Sequence, residues 1–163
     1  MRWTDSEHWH LTLAFAAEVP ARALDDLVEG LTVAVAKAPP ITARITGGGA
    51  FPHQGQAKVL WAGVAVDDPD ALAALAARCR HAVSRAGAAV AGERFRPHLT
   101  LARMARPVEA TRWIRVLDSY SGPEFSLDQV ALIASYLGQG RRRGPRHEVV
   151  DVFATSTRGY GLD

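Results

Sequence analysis

Apolar and polar residues alternate from His8 to Phe15, with Trp9, Leu11, Leu13 and Phe15 on one side and His8, His10 and Thr12 on the other. A period of two rich in aromatic and β-branched residues predicts a strand. After Pro20 the period changes. Leu24, Leu27, Val28 and Leu31 recur at three and four residues, which predicts a helix over 21–37 that Pro39-Pro40 stops. Strands are predicted over 41–46 and 58–66. Gly47-Gly48-Gly49 lacks the Lys and Ser/Thr of a phosphate loop and reads as a turn signal. Asp67-Asp68-Pro69-Asp70 is an N-cap cluster for a helix over 71–85, which carries Leu72, Leu75, Cys79 and Val83 on one face. Cys79 therefore reads as a small core residue. A strand over 96–103 and a helix from Pro107 through Leu117 follow. Strands over 125–137 and 147–154 then form a hairpin around a long basic loop.

The order is β-α-β-β-α-β-α-β-β. Several neighbouring strands are joined directly, which makes the fold class α+β with largely antiparallel sheets. A chain of 163 residues, 48% hydrophobic and 22% charged, suffices for one domain with its own core. The single cysteine excludes an internal disulfide and fits a reducing, cytoplasmic setting. No uncharged apolar run approaches the ~18 residues of a membrane helix. The opening Met1-Arg2-Trp3-Thr4-Asp5 has no apolar core of a signal peptide. A net charge of +2 is far from that of a polybasic nucleic-acid binder. Lys37 and Lys58 are the lysines, and every other cation is arginine. Genomic bias accounts for that preference, although arginine is also the better fork for phosphate.

One string occurs twice: His10-Leu11-Thr12-Leu13-Ala14 and His98-Leu99-Thr100-Leu101-Ala102. Both copies fall on predicted strands, half a chain apart, and each is followed by a proline that introduces a helix, Pro20 and Pro107. The repeat implies two similar lobes. On a strand, His10 and Thr12 share one face and the leucines take the other; His98 and Thr100 do the same. The leucine face belongs to a core. The His/Thr face is costly to bury dry. Lobes meeting through these faces would form a polar cleft with two imidazoles and two hydroxyls. Such a cleft suits a phosphodiester: one histidine serves as general base, the other, protonated, as general acid. The threonine hydroxyls would bind phosphate oxygens or hold the imidazoles. This chemistry calls for no metal and no cofactor.

Other candidates are weaker. His8 and His10 form an H-x-H half-site with no acidic or cysteine pattern to complete it. The loop Arg141-Arg142-Arg143-Gly144-Pro145-Arg146 could track an RNA backbone, although a solvated hairpin tip is the plainer reading. Phe51 and Trp61 could stack a base. For Trp61, a strand residue, a core role is the plainer reading.

Paired His-x-Thr-x motifs half a chain apart resemble the signature of the 2H phosphoesterases. Phe95-Arg96-Pro97-His98-Leu99-Thr100-Leu101-Ala102-Arg103 resembles the RNA 2′,3′-cyclic phosphodiesterases, the LigT-like family once called 2′-5′ RNA ligases. So do Gly49-Ala50-Phe51-Pro52, Val59-Leu60-Trp61-Ala62-Gly63-Val64 and Leu132-Ile133-Ala134-Ser135-Tyr136-Leu137. The resemblance covers nearly all of 2–153. It implies a single two-lobed domain over 1–163, α+β, with pseudo-symmetric, mainly antiparallel lobes, helices outside and the cleft between them. It implies metal-free hydrolysis of RNA 2′,3′-cyclic phosphate ends to 2′-phosphates. His10 would then protonate the departing 3′ oxygen, His98 activate water, and Thr12 and Thr100 hold the phosphate. Arg103 matches a family arginine. Simple alternation puts it on the face opposite His98, so a phosphate contact requires a bulge or the strand's end.

The first motif arrives at residue 10, so the strand and helix that usually precede it in the family are expected to be missing. An uncovered sheet edge invites pairing, which predicts self-association. Ala14-Phe15-Ala16-Ala17 stand where the family often has a basic residue and Phe-Leu-Gly. Two further readings stay open: the same chemistry on a small cyclic nucleotide, and an RNA- or nucleotide-binding module without turnover.

Overall fold

A computed structural model describes all residues except 92–94, 137, 140–145 and 157–163. The fold is α+β, and its sheets are largely antiparallel. Two compact units make up the chain. The first comprises Met1–Leu13, Ile41–Leu72 and Gly92–Ser126; the second comprises Ala14–Pro40, Ala73–Ala91 and Leu127–Asp163.

The first unit is built on a five-stranded sheet. Its strands are β1 (Arg2–Trp3), β2 (Ile41–Phe51), β3 (Ala57–Val66), β4 (His98–Val108) and β5 (Ser121–Leu127), in the order β1-β4-β3-β2-β5. One helix, α3 (Thr111–Asp118), packs on one side. Ile114 and Leu117 of α3 lie against Ala57, Leu60, Ala102 and Met104, which are buried. Trp3 of β1 meets Trp113 of α3 edge-on at 5.6 Å. These contacts define a helix side and an open side of the sheet.

The second unit contains α1 (Leu24–Ala36), most of α2 (Pro69–Arg85) and the hairpin of β6 (Gln129–Tyr136) and β7 (Arg146–Ala154). Leu27, Leu31, Ala34 and Val35 form the buried stripe of α1. Leu75, Ala76, Cys79, Ala82 and Val83 form that of α2. The N-cap expectation resolves onto single residues. The Asp68 carboxylate accepts from the Ala71 N–H at 2.9 Å and caps α2, while the Asp67 carboxylate accepts from the Thr42 N–H. Among the described residues no helix is long and apolar enough to cross a membrane.

Four sequence expectations change. The strand predicted over 125–137 is two strands of different sheets, β5 and β6, parted at Asp128. The segment 8–15 is not a strand. Ser6–His8 forms a 3-10 turn, and Leu11 keeps one antiparallel bridge, to Leu99. The edge of β4 is taken instead by β1, and the Thr4 N–H donates to the Leu101 carbonyl at 2.8 Å. The chain then leaves the edge over Asp5–Trp9 and is closed by the Trp9 indole donating to the Thr4 carbonyl. Gly47-Gly48-Gly49 lies inside β2, with a register shift between Ile45 and Gly48 and Gly47 at φ 64°. Pro107 is the penultimate residue of strand β4 rather than a helix start. The proline lacks an N–H, which a strand end tolerates.

Candidate functional site

The His-Leu-Thr-Leu part of each repeated string belongs to the first unit, and the two lie beside one another, joined by the antiparallel bridge Leu11↔Leu99. The bridge pairs the central residue of each motif. Antiparallel geometry about that point sets His10 beside Thr100 and Thr12 beside His98. Leu99 is buried, so its neighbours His98 and Thr100 lie on the open side of the sheet. Leu11 shares the side of its partner, which leaves His10 and Thr12 flanking it on the histidine side. His10 and Thr12 are exposed, and His98 and Thr100 are half-buried.

The two imidazoles are held alike. His10 Nδ1 is 2.8 Å from the His8 carbonyl oxygen, and His98 Nδ1 is 2.7 Å from the Arg96 carbonyl oxygen. A carbonyl only accepts, so Nδ1 carries the proton in each ring. The lone pair of the neutral imidazole is therefore on Nε2 in both. The symmetry of the letters thus extends to the tautomer.

Around His98 the site is aromatic. Phe51 meets it edge-on at 5.2 Å and Trp61 at 6.0 Å, while Phe51 and Trp61 are 5.4 Å apart. The Arg96 guanidinium lies 5.2 Å from the Trp61 ring centre. Trp61 is 9% exposed, and its indole N–H is buried without an acceptor among the described residues. Packing rather than hydrogen bonding therefore holds this ring. The space comes from Gly49, its partner across β2 and β3: a Cβ there would stand 2.2 Å from Trp61 Cζ2. The core role expected for Trp61 is thus joined to a second one, as a wall of the site.

Arg103 is placed by an irregularity in β4. Trp61 pairs with Thr100 and Leu60 with Ala102, so Leu101 is an extra residue. The bulge reverses the alternation. Leu99 points to the helix side, and so do Ala102 and Met104, three and five residues on. Arg103, opposite Val59 and in the same row as Phe51, comes to the histidine side. This is the bulge that simple alternation required for Arg103 to reach that side. Its letters give no sign of the bulge beyond the burial demanded by Ala102 and Met104.

His8 lies in the 3-10 turn rather than on a strand with His10, and its ring is within 4.8 Å of the carboxylates of Asp5 and Glu7, an acidic pattern not found from the sequence. Of the basic loop 141–146, residues 141–145 lie outside the described residues, and Arg146 pairs with Glu148 at 3.0 Å and lies 4.4 Å from the Tyr136 ring centre.

The family model of the 2′-5′ RNA ligase superfamily matches residues 5–139. The RNA 2′,3′-cyclic phosphodiesterase of Thermus thermophilus is 32% identical over 149 residues, 89% of this chain and 71% of that protein. Its counterpart from Aquifex aeolicus is 26% identical over 153 residues, 93% of this chain and 80% of that protein. With the protein of the same name from Geobacillus stearothermophilus the identity is 31% over 101 residues, 62% of this chain, and the chain spans only 32% of that relative's length. Among solved structures, a Thermus thermophilus protein superposes with a TM-score of 0.75 at 26% identity, covering 94% of this chain and 81% of that one. Escherichia coli LigT in complex with 3′-AMP gives 0.73 at 25% identity, covering 94% and 80%. The paired motifs, the antiparallel α+β fold and the family match together make this chain a member of the 2′-5′ RNA ligase superfamily.

Proposed function

We propose that this protein hydrolyses RNA 2′,3′-cyclic phosphate ends to 2′-phosphates by two-histidine acid–base catalysis, without a metal or cofactor. The observation that carries the reading is the pairing of the two His-Leu-Thr segments through Leu11 and Leu99, with both imidazoles held at Nδ1 by a carbonyl two residues back. The names of the relatives, RNA 2′,3′-cyclic phosphodiesterase, support the substrate class.

In this mechanism the neutral His98 Nε2 takes a proton from water as the water oxygen attacks phosphorus. The P–O3′ bond breaks, and protonated His10 delivers its proton to the departing 3′ oxygen. The products are a 3′ hydroxyl and a 2′-phosphate monoester, and the two histidines have exchanged protonation states. Thr12, Thr100 and Arg103 bind the phosphate oxygens, and Phe51 stacks the terminal base. The bulge at Leu101 supports this role for Arg103, because it removes the objection from alternation. Self-association through an uncovered sheet edge of the first lobe is part of the same reading, and sedimentation velocity tests it: a monomer at all concentrations refutes it.

An oligoribonucleotide with a 2′,3′-cyclic end, incubated with the protein and excess EDTA, tests the catalytic reading. Conversion to the 2′-phosphate, lost by ~10²-fold or more in both His10→Ala and His98→Ala, is expected. The pH–rate profile should be bell-shaped, since one histidine must be neutral and the other charged. Dependence on added metal, or full activity in either variant, would refute it.

A further inference from the structure

Arg2, in the short strand β1, has no part in the mechanism above. Its Cα partner across β4 is Arg103. Directly opposite residues of an antiparallel pair lie on one face, with Cβ atoms about 4.5–5.5 Å apart. The face is fixed independently. Trp3, the next residue, packs on Trp113 of α3, so Arg2 points the other way, to the side of His98 and Thr100. One row across the sheet therefore reads Arg2, Arg103, Val59, Phe51. Two like charges directly opposite one another destabilise a strand pair unless something neutralises them. Both side chains are exposed, and among the described residues neither has a carboxylate at ion-pair distance. Among the described residues the ion pairs of arginine are instead Arg44–Glu124 and Arg146–Glu148. Two guanidinium groups side by side, with no carboxylate partner among the described residues and next to a site for one phosphate, make a place for a second anion.

We infer that Arg2 binds the phosphodiester immediately 5′ of the cyclic end, and so makes the site selective for RNA ends over cyclic mononucleotides. The inference rests on the function proposed above and deepens it. Arg103 takes the scissile phosphate and Arg2 the next one along the chain. A nucleoside 2′,3′-cyclic phosphate has no second phosphate, so Arg2 contributes nothing to its turnover.

The test compares a trinucleotide ending in a 2′,3′-cyclic phosphate with the corresponding nucleoside 2′,3′-cyclic phosphate, on wild type, Arg2→Ala and Arg2→Lys. For Arg2→Ala, kcat/KM on the trinucleotide should fall about 5- to 20-fold, mainly through KM, as expected for one exposed charged contact. The nucleoside substrate should be unchanged. The slope of log KM against log salt should shrink by about 0.7, the share of one phosphate contact on a single strand. Arg2→Lys should recover most of the loss. An equal loss on both substrates, no loss on either, or an unchanged salt slope overturns the inference. A parallel binding titration uses a trinucleotide ending in a 2′-phosphate and the matching nucleoside 2′-phosphate. If the wild type turns over neither cyclic substrate, the proposed catalysis fails. The titration then decides Arg2 alone: a loss of affinity confined to the trinucleotide supports it, and equal affinities in wild type and Arg2→Ala overturn it.

Discussion

Replacing Gly49 by alanine would put a methyl carbon 2.2 Å from Trp61 Cζ2, 2.6 Å from Cη2 and 2.8 Å from Cε2. The indole has nowhere easy to go, because Phe51, His98 and Arg96 surround it. Overpacking of this kind costs about 1–3 kcal/mol. The entropy that alanine removes from the unfolded chain returns about 0.4–1 kcal/mol. The net destabilisation is therefore about 1–2 kcal/mol, or about 3–6 °C in melting temperature for a chain of this size. The displaced ring must also shift the wall against His98, and misplacement of a reacting group lowers turnover by about 10-fold or more. Thermal melting and kcat/KM on a cyclic-ended oligonucleotide read the two effects. Trp61→Phe, with its shorter ring, should make room for the methyl. The double variant should then be more stable than the two single losses predict, giving a favourable coupling. A Gly49→Ala protein that melts and turns over like the parent, or strict additivity with Trp61→Phe, would show that Gly49 is not making space for Trp61.

Cys79 is buried in α2, and burial raises its thiol from 9.0 to about 11, partly opposed by Arg78. The folded state thus holds its proton more tightly than the unfolded state. The associated stability is whole below pH 9 and is lost as pH rises toward 11, by up to about 3 kcal/mol; denaturant melts across that window measure it. Alkylation by iodoacetamide at pH 8 should be slow in the native protein and rapid in denaturant. Leu60→Ala, at a fully buried position under α3, should cost about 2–5 kcal/mol in denaturant melts. Glu124→Gln removes the exposed 2.8 Å pair with Arg44 and should change stability by less than about 1 kcal/mol, with the difference vanishing at high salt.

Periodicity carried most of the architecture. The predicted helices over 21–37 and 71–85 correspond to α1 and α2, because each has an apolar stripe that can be buried on one face only. Strands over 58–66 and 147–154 match β3 and β7 within a residue. What escaped the sequence was decided by pairing between distant segments. The eight-residue alternation at His8 has good strand propensity, yet the edge it would occupy on β4 is partly held by Arg2 and Trp3. Arg2-Trp3 is too short to carry a period at all. The three glycines look like a turn until Trp61 and Leu117 are placed over them. At the site, the repeat made His10, Thr12, His98 and Thr100 legible. The side taken by Arg103 was not, because it depends on a register shift that only the partner strand reveals.

Leu101 illustrates how length itself can be a functional property. Removing this one residue would shorten β4 by only ~3.4 Å, a change most loops absorb. Here it would invert everything downstream. Arg103 would turn into the oily layer beneath α3, and Met104 would be thrust into water. The odd residue thus lets one ribbon carry histidine, threonine and arginine on a single face while still sealing a hydrophobic interior, and single-residue gaps at this point should be among the least tolerated changes in the chain.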